Sequence, residues 1–230
     1  EQPLVLEGAQ VAGAALQRGG DELGQRAQRI DELAMVAPTL GAKPFAAFFV
    51  SALDQLPSME FKLHALKLKE DIASVLSGRC HACIFPQSSN PDPQLEVVPL
   101  FRERFVMACA ADHPLAAFGA VRVEDLVEYP LIDWLSCEYR VQIQEFFARR
   151  DVVMRPRLRI DREDWIQHIV GQGRAVCVLP ERSVGAPGLV TRQIEGLTLE
   201  REIVMAVASG TTTPVELSQI AQFASKYKWQ

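Results

Sequence analysis

The segment Ile169 to Pro180, which reads IVGQGRAVCVLP, places the strongest local constraint on how this chain folds. Gly171 and Gly173 follow an apolar helical pattern, and glycine accepts the positive φ of a tight turn without a steric penalty. The apolar run at 175–179 ends at a proline, which is typical of a short buried strand. The segment therefore predicts a helix that passes through a glycine turn into a strand.

Strand and helix patterns alternate along the first half of the chain. The pattern predicts, in order, a strand with its exit loop at 33–42, a helix at 44–56, a strand at 60–69, a helix at 70–76 and a strand at 80–85. This alternation is typical of an α/β protein with a parallel sheet covered on both faces. Residues 95–110 contain two strand-like runs, and 214–229 predict a closing amphipathic helix.

Composition and charge exclude several classes of protein. With 48% hydrophobic and 23% charged residues the chain is globular, and no apolar run reaches the roughly 20 residues that a membrane span requires. A net charge of −5, from 24 basic and 29 acidic residues, does not favour binding to a phosphate backbone. Five cysteines, an odd number, favour reduced thiols over a disulfide framework. We therefore predict a cytoplasmic protein without a membrane segment.

Three motifs, in order and spacing, carry a resemblance to a known family. They are a late G-x-G-x-x-x-x-L-P pattern at Gly171, Gly173, Leu179 and Pro180, the run PLFRERFVMACAADHPLA at 99–116, and the run QLPSMEFKLHALKLKEDIASVLSGRCHACIF at 55–85. Between Met35 and Trp229 the chain resembles the effector-binding domain of the LysR-type transcriptional regulators. His113, which begins the His-Pro-Leu-Ala tetrapeptide, is predicted to form a turn where the chain crosses between lobes.

The resemblance implies a two-lobed α/β architecture of the periplasmic-binding-protein type 2, with a cleft between the lobes. It implies that residues 1–33 are a remnant of the linker helix, that 34–110 and 186–230 form the first lobe, and that 111–185 form the second. The chain is then a ligand-sensing regulatory domain that binds a small effector and acts as a homodimer or homotetramer. Contact with DNA would belong to a winged helix-turn-helix that this chain does not contain. No catalytic residue, metal or cofactor is expected.

Two loops are predicted to face each other across the cleft. Ligands of open α/β sheets bind beyond the carboxyl ends of the strands, and helix N-termini attract anions. The predicted effector contacts are Thr39, Leu40 and Lys43 in the first lobe, and Ser136, Cys137, Glu138, Arg162 and Pro180 in the second. Thr39 could instead cap its helix, Lys43 could be a solvated surface residue, and Arg162 could form a salt bridge with nearby carboxylates.

Cys137 has a redox alternative. A thiol at a helix N-terminus has a lowered pKa, and Arg140 would lower it further. The position is similar to that of the reactive cysteine in the peroxide-sensing branch of the family. Phe146 and Phe147, however, stand where a resolving cysteine is expected, so a two-cysteine switch does not carry over.

Two other classes of protein compete with this interpretation. The first is a transport-type solute-binding protein, which shares the two-lobed architecture. The second is an enzyme, for which the cleft loops offer no nucleophile and base pair.

Cys80 and Cys83 are predicted to point to opposite faces of one strand, which argues against a zinc site.

Overall fold

The computed structural model describes residues 32–36, 42–57, 59–64, 68–87, 92–210 and 215–229. Most of the predicted linker remnant lies outside these ranges. The described residues form β1 (Glu32–Val36), α1 (Ala42–Gln55), β2 (Glu60–His64), α2 (Leu68–Leu76), β3 (Ala82–Pro86), β4 (Leu95–Ala110), a 3-10 helix (Pro114–Ala117), β5 (Ala120–Val121), α3 (Val123–Leu126), β6 (Leu131–Trp134), α4 (Arg140–Ala148), β7 (Leu158–Ile160), α5 (Glu163–Val170), β8 (Val176–Pro180), β9 (Leu189–Ile194), β10 (Glu200–Ala208) and α6 (Val215–Lys226).

The first lobe is a mixed sheet in the order β2-β1-β3-β10-β4. β1 runs parallel to β2 and β3, while β10 runs antiparallel to β3 and β4. Side chains alternate along β3, so that Ala82 and Ile84 pack under α1 and α6, whereas Cys83 and Phe85 pack on the α2 side. The predicted parallel arrangement with both faces covered is confirmed for β1 to β3.

The second lobe has its own sheet and core. Its strands follow the order β4-β8-β6-β7, in which β6 is parallel to both β7 and β8. A single cluster of buried residues, centred on Phe105, Leu131, Phe147, Ile166 and Leu179, holds helices α4 and α5 against it. Two sheets with separate cores give the two-lobed α/β architecture that the sequence predicts.

The crossing between the lobes lies inside β4, not after it. β4 is one strand of 16 residues; it pairs with β10 up to Arg104 and with β8 from Phe105 onward. The register with β10 shifts between Phe101 and Pro99, which leaves Leu100 without an opposite residue, next to a proline that has no N–H to donate. The prediction of two runs and of a crossing near Ala110 to His113 is therefore wrong.

β9 stays in the second lobe. It pairs with residues 107–110 of β4 and with β5, so the chain returns to the first sheet only at β10. The expectation that 189–196 rejoins the first lobe is wrong for this strand. We propose lobe boundaries at about residues 104 and 200, in place of 110 and 186, because these are the points at which the strands change partners.

The cysteine and histidine predictions meet different outcomes. Cys80 precedes β3, so strand alternation does not apply to it, and it packs in the same cluster as Cys83.

His113 does form a turn, in which its Nδ1 accepts a hydrogen bond from the Leu115 N–H at 3.2 Å and caps the 3-10 helix. That turn lies within the second lobe, beyond the crossing.

The glycine turn between α5 and β8 requires only one of its two glycines. Gly173 has φ +79°, while Gly171 ends α5 with an ordinary helical φ of −60°. A Cβ on Gly173 would lie 3.4 Å from Oδ1 of Asp112, so the turn also packs on the residue before His113.

We predict that Gly173→Ala lowers the free energy of unfolding by about 1–3 kcal/mol, because alanine is strained at positive φ. Gly171→Ala is the matched control and should change it by no more than about 1 kcal/mol. Urea denaturation of the two variants measures both values. Equal losses in the two variants would contradict the assignment of the turn.

Candidate functional site

A buried ion pair lies where the chain crosses between the lobes. Arg201 of β10 stands opposite Glu103 of β4; its Nε donates to Glu103 Oε1 at 2.8 Å, and its Nη2 lies 2.8 Å from the same oxygen. The two side chains are 1% and 2% exposed. A charge this deeply buried persists only when it is paired and hydrogen-bonded.

The same guanidinium reaches the second lobe. Nη1 of Arg201 donates to Oε1 of Glu138 at 2.6 Å, and Glu138 lies in the loop between β6 and α4. Its side chain is 10% exposed, and its second oxygen, Oε2, is buried without a hydrogen-bond partner among the described residues. One arginine therefore joins the crossing strands to the loop at the carboxyl end of β6.

A third carboxyl group, Glu163, opens α5 beside this network. Its Oε1 accepts from Gln167 Nε2 at 2.7 Å. Gln167 in turn donates to Ser183 O at 2.9 Å, and its Oε1 accepts from the Gly185 and Ala186 N–H groups. Burial raises the pKa of Glu163 to about 7, against the hydrogen bonds and the charge of Arg201 that lower it. We refer to Glu103, Glu138, Glu163, Gln167 and Arg201 together as the junction cluster.

The junction cluster also meets the first lobe. The Arg182 N–H donates to Glu103 Oε2 at 3.0 Å, and Lys43 Nζ of α1 donates to Val184 O at 3.0 Å. A Cβ on Gly185 would lie 3.0 Å from the Lys43 Cβ, so α1 closely approaches the loop after β8. The junction is therefore enclosed by elements of both lobes.

The predicted contact residues are distributed unevenly around this junction. Thr39 and Leu40 lie outside the described residues. Glu138 belongs to the junction cluster, Lys43 borders it, and Pro180 ends β8, where its carbonyl accepts from Ser183 Oγ at 2.9 Å. Ser136 is exposed in the loop that carries Glu138.

Arg162 forms a salt bridge with a neighbouring carboxylate, which is the alternative to an effector contact that the sequence left open. Its guanidinium forms two hydrogen bonds with Asp164, at 2.5 and 3.0 Å, and the side chain is 62% exposed. The exposed ion pair holds the Arg162 guanidinium at the N-terminal end of α5.

The expected activation of Cys137 is wrong. Burial, together with the neighbouring Glu138 carboxylate, raises the pKa of the Cys137 thiol to about 12. Arg140 does not activate it, because Nε and Nη2 of Arg140 bind Asp133 at 2.7 and 2.6 Å. A thiol with this pKa is almost fully protonated at neutral pH, whereas the thiolate is the reactive form. The geometry therefore argues against the redox-sensing alternative.

Glu103, Arg201 and Glu163 were absent from the sequence predictions. In the run FRERF, Glu103 shares its strand face with Phe101 and Phe105, and these three residues are buried while the arginines between them are exposed. Arg201 has the same relation to Ile203 on β10. For both Glu103 and Arg201, a charged residue on the same strand face as buried apolar residues could therefore have indicated a buried charge.

We predict that Glu163 makes stability fall as pH rises from about 5 to 8. Its folded pKa of about 7 lies above the ordinary 4.5, so the folded state holds the proton more tightly and loses this advantage as the group ionises. In the Glu163→Gln variant, the loss in free energy of unfolding over this pH range should be smaller by about 1–3 kcal/mol. Urea midpoints of the parent and the variant, compared across pH, measure this difference. Glu145→Gln, at a half-exposed carboxyl on α4, is the control. Parallel pH profiles of parent and Glu163→Gln would contradict the assignment.

The described residues contain neither a membrane-spanning helix nor a metal-binding cluster. None of their helices is both long and apolar enough to cross a membrane. Within the same residues, no cluster of three or more His, Cys, Asp or Glu side chains could hold a metal ion.

Known proteins share this architecture. The HTH-type transcriptional regulator cbl of Escherichia coli (strain K12) is 28% identical over 118 residues, which are 50% of this chain and 37% of the relative, well under two thirds of its length. The CcmR regulatory domain of Synechocystis PCC6803, solved with 2-PG, is 20% identical with a TM-score of 0.68 and covers 84% of this chain and 94% of its own. The reduced OxyR regulatory domain of Pseudomonas aeruginosa is 21% identical with a TM-score of 0.69, over 84% of this chain and 97% of its own. The family model for the LysR substrate binding domain matches residues 27–227. The chain therefore belongs to the LysR substrate-binding domain family.

Proposed function

We propose that this chain is the ligand-sensing part of a LysR-type transcriptional regulator and binds a small effector between its lobes. The observation that carries the proposal is the junction cluster, in which the crossing strands and the second-lobe loop share one buried arginine. A ligand held there contacts both lobes, so it can stabilise one arrangement of them over another. The CcmR regulatory domain, which has the same fold, was solved with a small molecule.

The effector contacts that we propose come from both sides of this junction. Lys43 and Pro180 border the junction cluster and Glu138 belongs to it, which supports their assignment. The full proposed set is Thr39, Leu40, Lys43, Ser136, Cys137, Glu138, Arg162 and Pro180. Of these, Cys137 acts as a packed, protonated thiol, and Arg162 contacts the effector only if it leaves Asp164.

We further propose that the chain acts by binding and not by catalysis, in the cytoplasm, and as part of a protein that contacts DNA. The relative cbl is an HTH-type regulator, which supports a DNA-binding helix-turn-helix outside residues 1–230. The net charge of −5 also places nucleic-acid contact elsewhere in the protein.

Ligand binding is tested by a thermal-shift screen of the chain against small carboxylates, amino acids, amines and polyols. A ligand at about 100 times its dissociation constant stabilises the folded state by about 2.7 kcal/mol, which is readily seen as a higher melting temperature. We expect Thr39→Tyr and Ser136→Tyr, which fill the proposed cleft, to abolish the shift. Ser225→Tyr on the exposed side of α6 should leave it unchanged. Loss of the shift in all three variants, or in neither cleft variant, places the ligand elsewhere.

We also propose that two copies of the chain associate through the ends of their sheets. Among the described strands, β2 and β7 are the terminal strands of the two sheets, and a terminal strand pairs on one side only. Beside β2, an open groove of about 590 Å³ is lined by Phe49, Leu53, Phe61 and Leu63 among others, and both leucines are 55% exposed. On β7 itself Leu158 is 43% exposed. Exposed apolar area beside open edges fits association of an edge from one copy with that of another.

Sedimentation equilibrium tests this association. Leu53→Glu and Leu63→Glu should weaken the dimer at least about tenfold, because a buried unpaired charge is costly at an interface. Phe118→Glu is the matched control, since Phe118 is 53% exposed but lies beside β5. A monomeric parent, or equal weakening by the control, would rule out the proposed surface.

A further inference from the structure

Glu138 uses only half of its carboxylate within the described chain. Oε1 is bound by Arg201 at 2.6 Å, while Oε2 is buried without a donor, and the side chain is nine-tenths buried. An ionised carboxylate has about four lone-pair sites, and a buried oxygen without a partner carries its desolvation cost uncompensated. This oxygen lies at the carboxyl end of β6, where ligands of open α/β sheets bind. It is therefore a buried acceptor without a donor among the described residues.

The charges around this acceptor are predominantly negative. Glu103 and Glu138 both bind the guanidinium of Arg201, so the buried trio already carries one more negative charge than positive. Glu163 adds negative charge as it ionises near pH 7. An anion placed beside Oε2 would meet like charge in a poorly solvated site, where repulsion is stronger than in water.

The other cations near the junction bind acceptors other than Glu138. Lys43 Nζ donates to Val184 O, and the Arg182 guanidinium donates to Arg102 O and Trp229 O. Arg140 binds Asp133, and Arg162 binds Asp164. Among the described residues, Arg201 is thus the one cation that binds Glu138.

We propose that the effector presents a hydrogen-bond donor, an ammonium or a hydroxyl group, to Oε2 of Glu138, and that the junction selects against ligands whose facing group is a carboxylate. The inference rests on the proposed function, because it names the chemical class for the same cleft. Glu138 then determines specificity: its Oε1 is held by Arg201, which fixes the direction in which Oε2 accepts.

The class of ligand is tested with panels in which one carbon skeleton is supplied as the amine, the alcohol and the carboxylate. One such panel is 1,4-diaminobutane, 1,4-butanediol and butanedioate. Thermal shifts of the unmutated 230-residue chain rank the three classes, and this ranking does not depend on any variant folding. We expect the amine and alcohol members to stabilise the chain and the matched carboxylates to have no effect.

The role of Glu138 is tested by calorimetric titration of the best donor ligand. Glu138→Gln should weaken binding at least tenfold and raise the affinity for carboxylate members, because the new amide donates where the carboxylate accepted. Glu181→Gln is the control, since Glu181 is a 40% exposed carboxylate on Arg104 at the end of β8 and should leave affinity unchanged.

The outcomes separate this inference from the function on which it rests. If carboxylates bind the unmutated chain and donors do not, the ligand class is wrong while the sensor function stands. If donors bind but Glu138→Gln leaves their affinity unchanged, the role of Glu138 is wrong. If no member of any panel binds at millimolar concentration, the proposed sensor function fails together with the inference.

Discussion

The position of one buried guanidinium organises this molecule. Arg201 lies where the chain crosses for the second time, and it binds a carboxylate from the first crossing strand and another from a second-lobe loop. Burying such charges costs several kcal/mol for each ion, and only close pairing and hydrogen bonds offset that cost. Removal of Arg201 would leave Glu103 and Glu138 buried without a cation. These contacts therefore tie the relative arrangement of the lobes to a geometry that tolerates little displacement.

Local patterns predict the elements well because they depend on nearby residues. The turn at Gly173, the buried strand at 176–180 and the turn at His113 all follow from residue types and short spacings. The lobe crossing does not. β4 looks like any long apolar strand, and the point at which it exchanges β10 for β8 depends on residues about a hundred positions away in sequence. Strand partnership is a tertiary property, so the predicted lobe boundaries were displaced, and β4 was divided into two runs, although residues 95–110 were predicted to be extended.

The candidate site illustrates the same division. Glu138 and Lys43 could be proposed from the sequence because loops after parallel strands are regular places for ligands. Glu103 and Arg201 were missed because they lie inside strands, where charged residues are usually assigned to the solvent face. The predicted lowering of the Cys137 pKa is wrong for a further reason. A helix end favours the thiolate, but burial and the Glu138 carboxylate raise the pKa by more than the helix end lowers it. A local electrostatic rule holds only when the group remains solvated, and solvation cannot be read from the flanking sequence.

The unmatched oxygen of Glu138 connects stability with sensing. A fully satisfied ion network would hold the lobes together whether or not a ligand was present. Here Arg201 satisfies Oε1 and leaves Oε2 as an acceptor that only a bound donor completes. The free energy released by that bond is available only in the arrangement that brings Arg201 and Glu138 together. A donor ligand therefore favours this arrangement by its differential affinity, which is the physical requirement for an effector.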